Sequence, residues 1–480
     1  MLLPTWPGAE YAVHQMEGVQ WMLNQELNGY TVTNQGEDYV VRGGILGDEM
    51  GLGKTIQSLA LIVNGPGKKT LIVGPLAVCK QWEEALLRCN VNVFVVEKSC
   101  WVQRGKRHLG NKAKNVYLSH YDKVVSDVGL FLSIKNLDRI ILDEAHRIRN
   151  TKTATGANIM KIEATYKWAL TATPIVNKFD DAVAYLKFIG FKIDASGWRS
   201  KYQQWITGVY LARTVNECEA PAGLTMPPEP IIETKMLDFT NEDEKVIYDG
   251  ILNNIENQWR SARTLNGKAY QLAKFSILLR LRQISVNPQI YIKAREKESY
   301  GWTGPTFNFP SRKFDEITHL MRESHEAGTE NRWIVFCQFH EEMTMLSEYL
   351  NGFSFTGSVL QYHGGMSSKE REEAIEQSKI RSSEGKQDVF LIQLQAGGTG
   401  LNLQHYDRII FTSPWWTSAL LEQAKGRAVR IGQKEVVKIY WLKLSTEEGL
   451  FSIDTFMHDK ANEKKDMGNE FLSWSHNRNN

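Results

Sequence analysis

The sequence predicts an α/β protein, with two parallel-sheet blocks and a helical insertion between them. Two observations predict it. Short, continuously apolar runs recur in both end portions of the chain, with stretches long enough for helices between most of them. That is the rhythm of parallel strands covered on both faces. Between the two blocks lies a long stretch whose apolar residues fall at helical spacing instead.

In the first block the runs are Thr70 to Pro75, Asn92 to Val96, Val116 to Tyr121, Arg139 to Glu144 and Trp168 to Pro174. In the second they are Trp333 to Phe339, Val389 to Gln393, Arg408 to Pro414 and Val436 to Leu442. From about Gly190 to Gly301 the chain reads as helical. One face carries Tyr248, Ile251, Leu252 and Ile255, another Leu278, Leu279, Leu281 and Ile284. The stretch Ala220 to Pro230 is the best linker candidate, because its four prolines and a glycine resist both helix and central strand. Gly301 to Pro305 is a second break. The expected divisions are residues 1–190, 191–305, 306–450 and 451–480, with a polar tail that frays at its end.

At 480 residues the chain suits two large domains or three smaller ones. Its 42% hydrophobic and 23% charged residues exclude a disordered chain. No run of eighteen apolar residues and no export signal is visible, so neither a membrane span nor secretion is expected. Five cysteines form no C-x-x-C pair, which predicts a reducing, intracellular setting and no structural metal. A net charge of +2 means that any phosphate partner must be met by locally gathered charge.

Asp48 to Thr55, DEMGLGKT, stands between a glycine-rich approach and an apolar helix pattern. A glycine loop ending in Lys-Thr closes backbone N–H groups around phosphate oxygens, with the helix start aimed at the anion. Lys54 then reaches the β- and γ-phosphates and Thr55 holds Mg²⁺. Arg139 to His146, RIILDEAH, puts two carboxylates just past an apolar strand. Asp143 suits a Mg²⁺ ligand, and Glu144 a base for the attacking water. Each motif has a plain alternative, a flexible turn or a solvated acidic pair; each makes the other's alternative less tenable. In Gln423 to Gln433, QAKGRAVRIGQ, Arg427 and Arg430 are three apart and on a helix share one face. They suit charge donors to a phosphoryl transition state, against the alternative of a solvated basic face. Arg104 to Lys114 is a basic run that reads either as a phosphate contact or as a solvated loop.

Together these segments resemble the SWI/SNF-type (Snf-two) branch of helicase superfamily two, the DNA-dependent ATPases that include chromatin remodellers. The resemblance runs from about Val13 to Gly449. Gly74 to Trp82 looks like motif Ia and Leu170 to Ile175 like motif III. Met226 to Ile251 is similar to the segment leaving the first lobe, and Leu279 to Pro288 with Ser311 to Phe314 to the approach to the second. Trp333 to Phe339 looks like motif IV, Gln395 to Leu403 motif V and Gln423 to Gln433 motif VI; Gln361 to Glu372 lies between motifs IV and V.

The resemblance implies two RecA-like lobes sharing one ATP site, helical protrusions and a terminal brace. It implies ATP and Mg²⁺ bound by Gln15 (reading adenine), Asp48, Glu49, Met50, Gly51, Leu52, Gly53, Lys54, Thr55, Gly400 and Gln423. Thr171 and Thr173 would couple phosphate state to lobe movement, and Gly398 and Gly400 would lie near the phosphates. Gln338, Gln395 and Trp416 are the expected DNA contacts. The implied activity is ATP-driven translocation on double-stranded DNA that remodels protein–DNA complexes, in chromatin, repair or transcription. Nucleosomes or other DNA-bound proteins are further partners, with nuclear residence in a eukaryote. Three departures stand out: Gln393 and Gln395 replace hydroxyl and basic residues of motif V, Val429 replaces a histidine of motif VI, and Thr417 and Ser418 follow Trp416. Two other readings stay open, an RNA helicase of the DEAH kind and a catalytically silent DNA-binding scaffold.

Overall fold

Successive residues of the apolar runs face opposite sides of two separate sheets. The computed structural model describes residues 2–34, 36–108, 110, 113–193, 198–219, 225–298, 304–308, 310–383, 385–397, 401–445 and 452–473. The chain divides into two compact units. The first is Met1–Met226 with Arg430–Gly432 and Glu463–Asn480, the second Pro227–Val429 with Gln433–Asn462.

The first unit begins its strands with a hairpin, β1 (Tyr30–Asn34) and β2 (Glu37–Val41). Its main sheet uses β3 (Gly43–Leu46), β4 (Lys69–Gly74), β5 (Asn92–Glu97), β6 (Cys100–Arg104), β7 (Asn115–His120), β8 (Arg139–Asp143), β9 (Tyr166–Leu170) and β10 (Tyr210–Leu211). Their order is β10-β3-β9-β8-β4-β7-β5-β6, parallel except for the β5–β6 pair. Leu71, Val73, Ile140 and Leu142 join one buried cluster, while Ile72 and Ile141 join the other. That alternation explains why both strands are apolar throughout.

The second unit carries β11 (Ile231–Leu237), β12 (Arg332–Cys337), β13 (Thr356–Tyr362), β14 (Gln387–Gln393), β15 (Arg408–Phe411) and β16 (Lys438–Leu444), all parallel, in the order β11-β16-β15-β12-β14-β13. Trp333, Val335 and Cys337 face one cluster, Ile334 and Phe336 the other. Among the described residues, no helix is long and apolar enough to cross a membrane.

Helices Trp198–Val209, Glu242–Ala262, Gly267–Val286 and Pro288–Glu298 fill a little over half of the stretch read as helical. Tyr248, Ile251, Leu252, Ile255, Leu278, Leu281 and Ile284 are buried as that spacing requires, but Leu279 is exposed. Two corrections apply to the reading from Gly190 onward. Residues 210–211 form β10, which completes the first sheet beside β3, and 231–237 form β11, held by a full parallel register on β16. Both gain ladder hydrogen bonds from strands far away in sequence, which local spacing does not report. The linker candidate is irregular over 225–230, with 220–224 outside the described residues; in the second break, 301–303 lie outside them. The polar tail is helical from Ile453 to Ser473.

Two buried ion pairs tie remote segments together. In the first unit the fully buried Arg139 guanidinium forks onto both carboxylate oxygens of Glu26, and Trp168 Nε1 donates to the same carboxylate at 3.0 Å. Glu26→Gln leaves Arg139 a buried charge without a counter-ion, an expected loss of about 3–5 kcal/mol in urea unfolding. In the second unit Lys313 Nζ reaches Asp454 Oδ2 at 2.7 Å, and Ser285 and Ser413 hydroxyls complete its shell.

Glu244, buried near the start of helix Glu242–Ala262, accepts the Arg312 N–H at 2.9 Å. Burial pushes its carboxyl up to about 7, with the Arg312 N–H pulling the other way. The folded chain therefore holds a proton that the unfolded chain releases between its ordinary value of 4.5 and about 7. Stability falls as pH rises through that window. Glu244→Gln is expected to change little at about pH 4, below both values, and to stabilise on the order of 1 kcal/mol or more at about pH 8, read from urea midpoints.

Candidate functional site

The strand order sets β3, β9, β8 and β4 side by side and parallel, so the loops leaving their C-terminal ends share one edge of the first sheet. In such sheets that edge is where ligands gather. The loop after β3 is held from behind: Gly47 N–H donates to Leu211 O at 2.7 Å, and Glu49 N–H to Arg213 O at 2.8 Å. Gly51 and Gly53 take φ of 91° and 85°, left-handed values that a side chain strains. A Cβ at Gly53 would also come within 2.5 Å of Gln15 Nε2. Gly53 opens helix Lys54–Asn64, whose N-terminus no side chain caps. That leaves a turn of backbone N–H groups suited to an anion.

Asp48 is turned inward. Arg213 Nε donates to its Oδ1 at 3.0 Å, Arg213 Nη2 to Oδ2 at 2.5 Å, and Gln57 Nε2 to Oδ2 at 2.9 Å. Its carboxylate is thus spent on the loop's foundation, and only the Asp48 backbone faces the loop interior, where Lys54 Nζ donates to Asp48 O at 2.7 Å. Glu49 is exposed and accepts the Val215 N–H at 2.7 Å. Gln15 accepts from Ala12 N–H and donates to Leu52 O at 3.3 Å, beside His14 Nε2 at 3.0 Å from the same oxygen. Both side chains brace the loop. Met50 is half-buried, Leu52 buried and Thr55 exposed.

Burial lowers the Lys54 ammonium, opposed by Glu144, Asp48, Asp143 and Glu49 in that order. The same coupling acts on Asp143: burial and Glu144 push it up to about 6, against the Trp82 N–H and Lys54. The lysine of the β3 loop and both acids of the β8 end therefore share one electrostatic environment. Trp82 Nε1 donates to Asp143 Oδ2 at 2.7 Å, and Glu144 N–H to Oδ1 at 3.0 Å. Tyr121 Oη donates to the Asp143 carbonyl at 2.8 Å. Glu144 sits at φ 51°, with His146 Nδ1 3.2 Å from its Oε2. A non-glycine residue in that region is held by its surroundings, a recurring feature of functional sites. Thr171 joins the β9 end to the same edge, its N–H donating to Leu46 O at 3.1 Å and its Oγ1 accepting from Thr173 N–H at 3.2 Å.

These residues fit a magnesium nucleotide. Lys54 spends two donors on carbonyls, at 2.7 and 3.5 Å, and an ammonium has three. Each Asp143 oxygen carries one hydrogen bond and keeps a lone pair for a cation.

In the second unit, helix Ser418–Lys425 ends at Gly426, so Arg427 and Arg430 do not share a helical face as their spacing predicts. Beyond it the backbone tightens into i to i−3 turns, Arg427 N–H donating to Ala424 O and Ala428 N–H to Lys425 O, both at 3.2 Å. Arg427 is buried, with its carbonyl accepting the Leu403 N–H at 3.0 Å. Arg430 groups with the first unit, where its Cγ lies 3.6 Å from the point a Cβ on Gly51 would occupy, and burial lowers its guanidinium. Gln423 is buried. Gly398 and Gly400 lie outside the described residues.

The three amide and indole candidates for DNA differ. Gln395 is exposed. Gln338 Nε2 donates to Pro414 O at 2.9 Å and Ser413 O at 3.3 Å, and its Oε1 accepts from Arg282. Arg282 lies over the rings of Trp415, Phe339 and Trp416 at 4.5, 5.6 and 5.8 Å, and Trp416 packs against the core. Gln393 Oε1 accepts the Gly364 N–H at 3.0 Å, so this departure from motif V holds the glycine turn after β13. In the basic run, Arg104 pairs with Glu83 and Glu97, and Lys114 donates to Ile62 O and Gly65 O. Those two charges are already used within the first unit.

Residues 14–225 match the SNF2-related domain family, and residues 312–432 match the helicase conserved C-terminal domain. The putative ATP-dependent helicase/translocase YwqA of Bacillus subtilis is 26% identical over 459 residues, covering 89% of this chain and 45% of that protein. The probable ATP-dependent DNA helicase CHR23 of Arabidopsis thaliana is 28% identical over 501 residues, covering 95% and 43%. The chain thus spans a little under half the length of these two relatives. A solved structure described as the Sulfolobus solfataricus SWI2/SNF2 ATPase core in complex with dsDNA covers 99% of this chain and 98% of that one, at 22% identity and a TM-score of 0.39.

Proposed function

Because the chain belongs to the SNF2-related branch of helicase superfamily two, we propose that it is an ATP-hydrolysing motor that moves along double-stranded DNA. One observation carries the catalytic half of this reading: a lysine on a glycine loop shares its electrostatic environment with an Asp-Glu pair at a neighbouring strand end. Bound ATP with Mg²⁺ supplies the phosphoryl group and the cation that neutralises its charge.

Lys54 draws charge from the β- and γ-phosphates, and the loop N–H groups cradle them. Thr55 and Asp143 hold the cation, with Trp82 fixing the carboxylate's orientation. Glu144 orients the attacking water and takes its proton. Arg427 and Arg430 supply positive charge to the transferring phosphoryl group, and reading the base is assigned to Gln15. Gln395, exposed, is the strongest of the DNA candidates. Gln338 acts instead by positioning the Trp415–Trp416 turn through Arg282. The work done is remodelling of protein–DNA complexes, nucleosomes among them, in a compartment that keeps the chain's free cysteines reduced; in a eukaryote that includes the nucleus.

The test is ATP turnover measured in parallel with duplex DNA, single strands, RNA and nucleosomes. Stimulation by duplex is expected. Stimulation by RNA alone would replace this reading with the RNA-helicase one. Absence of hydrolysis with every nucleic acid would leave a DNA-binding scaffold.

A further inference from the structure

β11 is the outer strand of the second unit's sheet, and among the described residues β16 is its one strand neighbour. The parallel register fixes which backbone groups are spent. Ile231 N–H donates to Val437 O, and Ser445 N–H donates to Leu237 O. By the alternation of a ladder, Ile231, Glu233, Lys235 and Leu237 bond to β16, while Ile232, Thr234 and Met236 turn their N–H and C=O groups to the open edge. Side chains along that edge are exposed, Ile232 by 54% and Met236 by 56%. Soluble proteins usually blunt such an edge.

The strand Ile-Ile-Glu-Thr-Lys-Met-Leu is complementary to its own reverse about Thr234. We propose that β11 is a self-pairing edge that joins two copies of this chain antiparallel, about a two-fold axis through Thr234. In that register the edge-facing residues form the hydrogen-bonded pairs, Thr234 with Thr234 and Ile232 with Met236. Glu233 of each copy faces Lys235 of the other at the positions where cross-strand side chains come closest, while the exposed Ile231 stands opposite Leu237, whose side chain is buried in the second unit's core. Glu233 and Lys235 already share one face, 3.1 Å apart. The register is also defended. Sliding by two residues sets Glu233 against Glu233 or Lys235 against Lys235, and sliding by one puts each side chain opposite one on the other face.

Sedimentation velocity of the full chain over a range of concentrations tests this. Wild type is expected to show a monomer–dimer equilibrium. Glu233→Lys and Lys235→Glu each place like charges opposite twice, and each is expected to weaken the dimer at least about tenfold. Mixed together, these two variants are expected to form a heterodimer, because every facing pair is again opposite in sign. Thr234→Pro removes an N–H that faces the edge and not β16. It is expected to give a monomer with unchanged circular dichroism and unchanged ATP turnover without DNA. A wild type that stays monomeric throughout overturns the proposal. So does a dimer that survives all three single substitutions, or a mixture of charge variants that fails to associate.

Discussion

Arg430→Ala is expected to lower ATP turnover by ~10³–10⁵-fold while changing nucleotide affinity far less, the signature of an arginine that acts on transition-state charge. Arg430 is the cleaner choice of the two arginines. Its Cγ lies beside the glycine loop that carries Lys54, and burial lowers its guanidinium, so the structure already bears a desolvation cost that a solvated surface arginine would not. Arg427 is buried to 5% exposure within the second unit, and its removal would mix stability with rate. Arg430→Lys is expected to recover little, since an ammonium lacks the planar fork of donors. Single-turnover hydrolysis with saturating ATP is the measurement. A loss smaller than about tenfold would return Arg430 to a packing role.

Lys54→Ala is expected to reduce turnover by at least about 10²-fold, the scale of losing one preorganised donor to developing charge. The effect has a second component here. Lys54 is one of the groups that hold the Asp143 carboxyl down against burial and Glu144. Without it, Asp143 is protonated more readily, so the variant should need more Mg²⁺ for whatever activity remains. Titrating Mg²⁺ in the turnover assay separates the two components. If the metal requirement is unchanged, lysine and acid pair are not coupled in the working enzyme. The fold should survive, because among the described residues Lys54 donates to carbonyls of its own loop, at Asp48 and Glu49.

Much of the fold was legible in the sequence where strands are buried on both faces. The Arg139 and Trp333 runs are unbroken apolar segments, and their alternation into two clusters follows from the pleat alone. Among the described residues, seven strands fall outside the runs read as strands: β1, β2, β6 and β13, and three whose composition says little. β3 has two glycines in four residues, β10 is two residues long, and β11 alternates Ile, Glu, Thr and Lys. Each exists because a distant strand supplies its ladder. The site divides in the same way. Lys54, Asp143 and Glu144 could be proposed from the sequence because phosphate chemistry imposes a local pattern, and the structure sets the two strand ends that carry them on one sheet edge. Arg213 was not, since its partner Asp48 is 165 residues away and nothing near either residue announces the other. Trp82 was visible as part of a motif, but its hydrogen bond to Asp143 was not. The arginine pair shows the converse error, where a spacing of three suggested one helix and the helix ends at Lys425, before either arginine.

The Arg213–Asp48 clamp limits where the polypeptide can be severed. A fragment that stops near residue 190, where the first block looks finished by its strand pattern, would keep a wholly enclosed carboxylate at the base of the glycine loop and discard the cation that neutralises it. It would also lose Leu211 and Arg213, whose carbonyls receive the loop's own amides. The smallest autonomous first unit therefore extends past residue 213, and shorter pieces should be recovered as insoluble or protease-sensitive material even though every residue of DEMGLGKT is present.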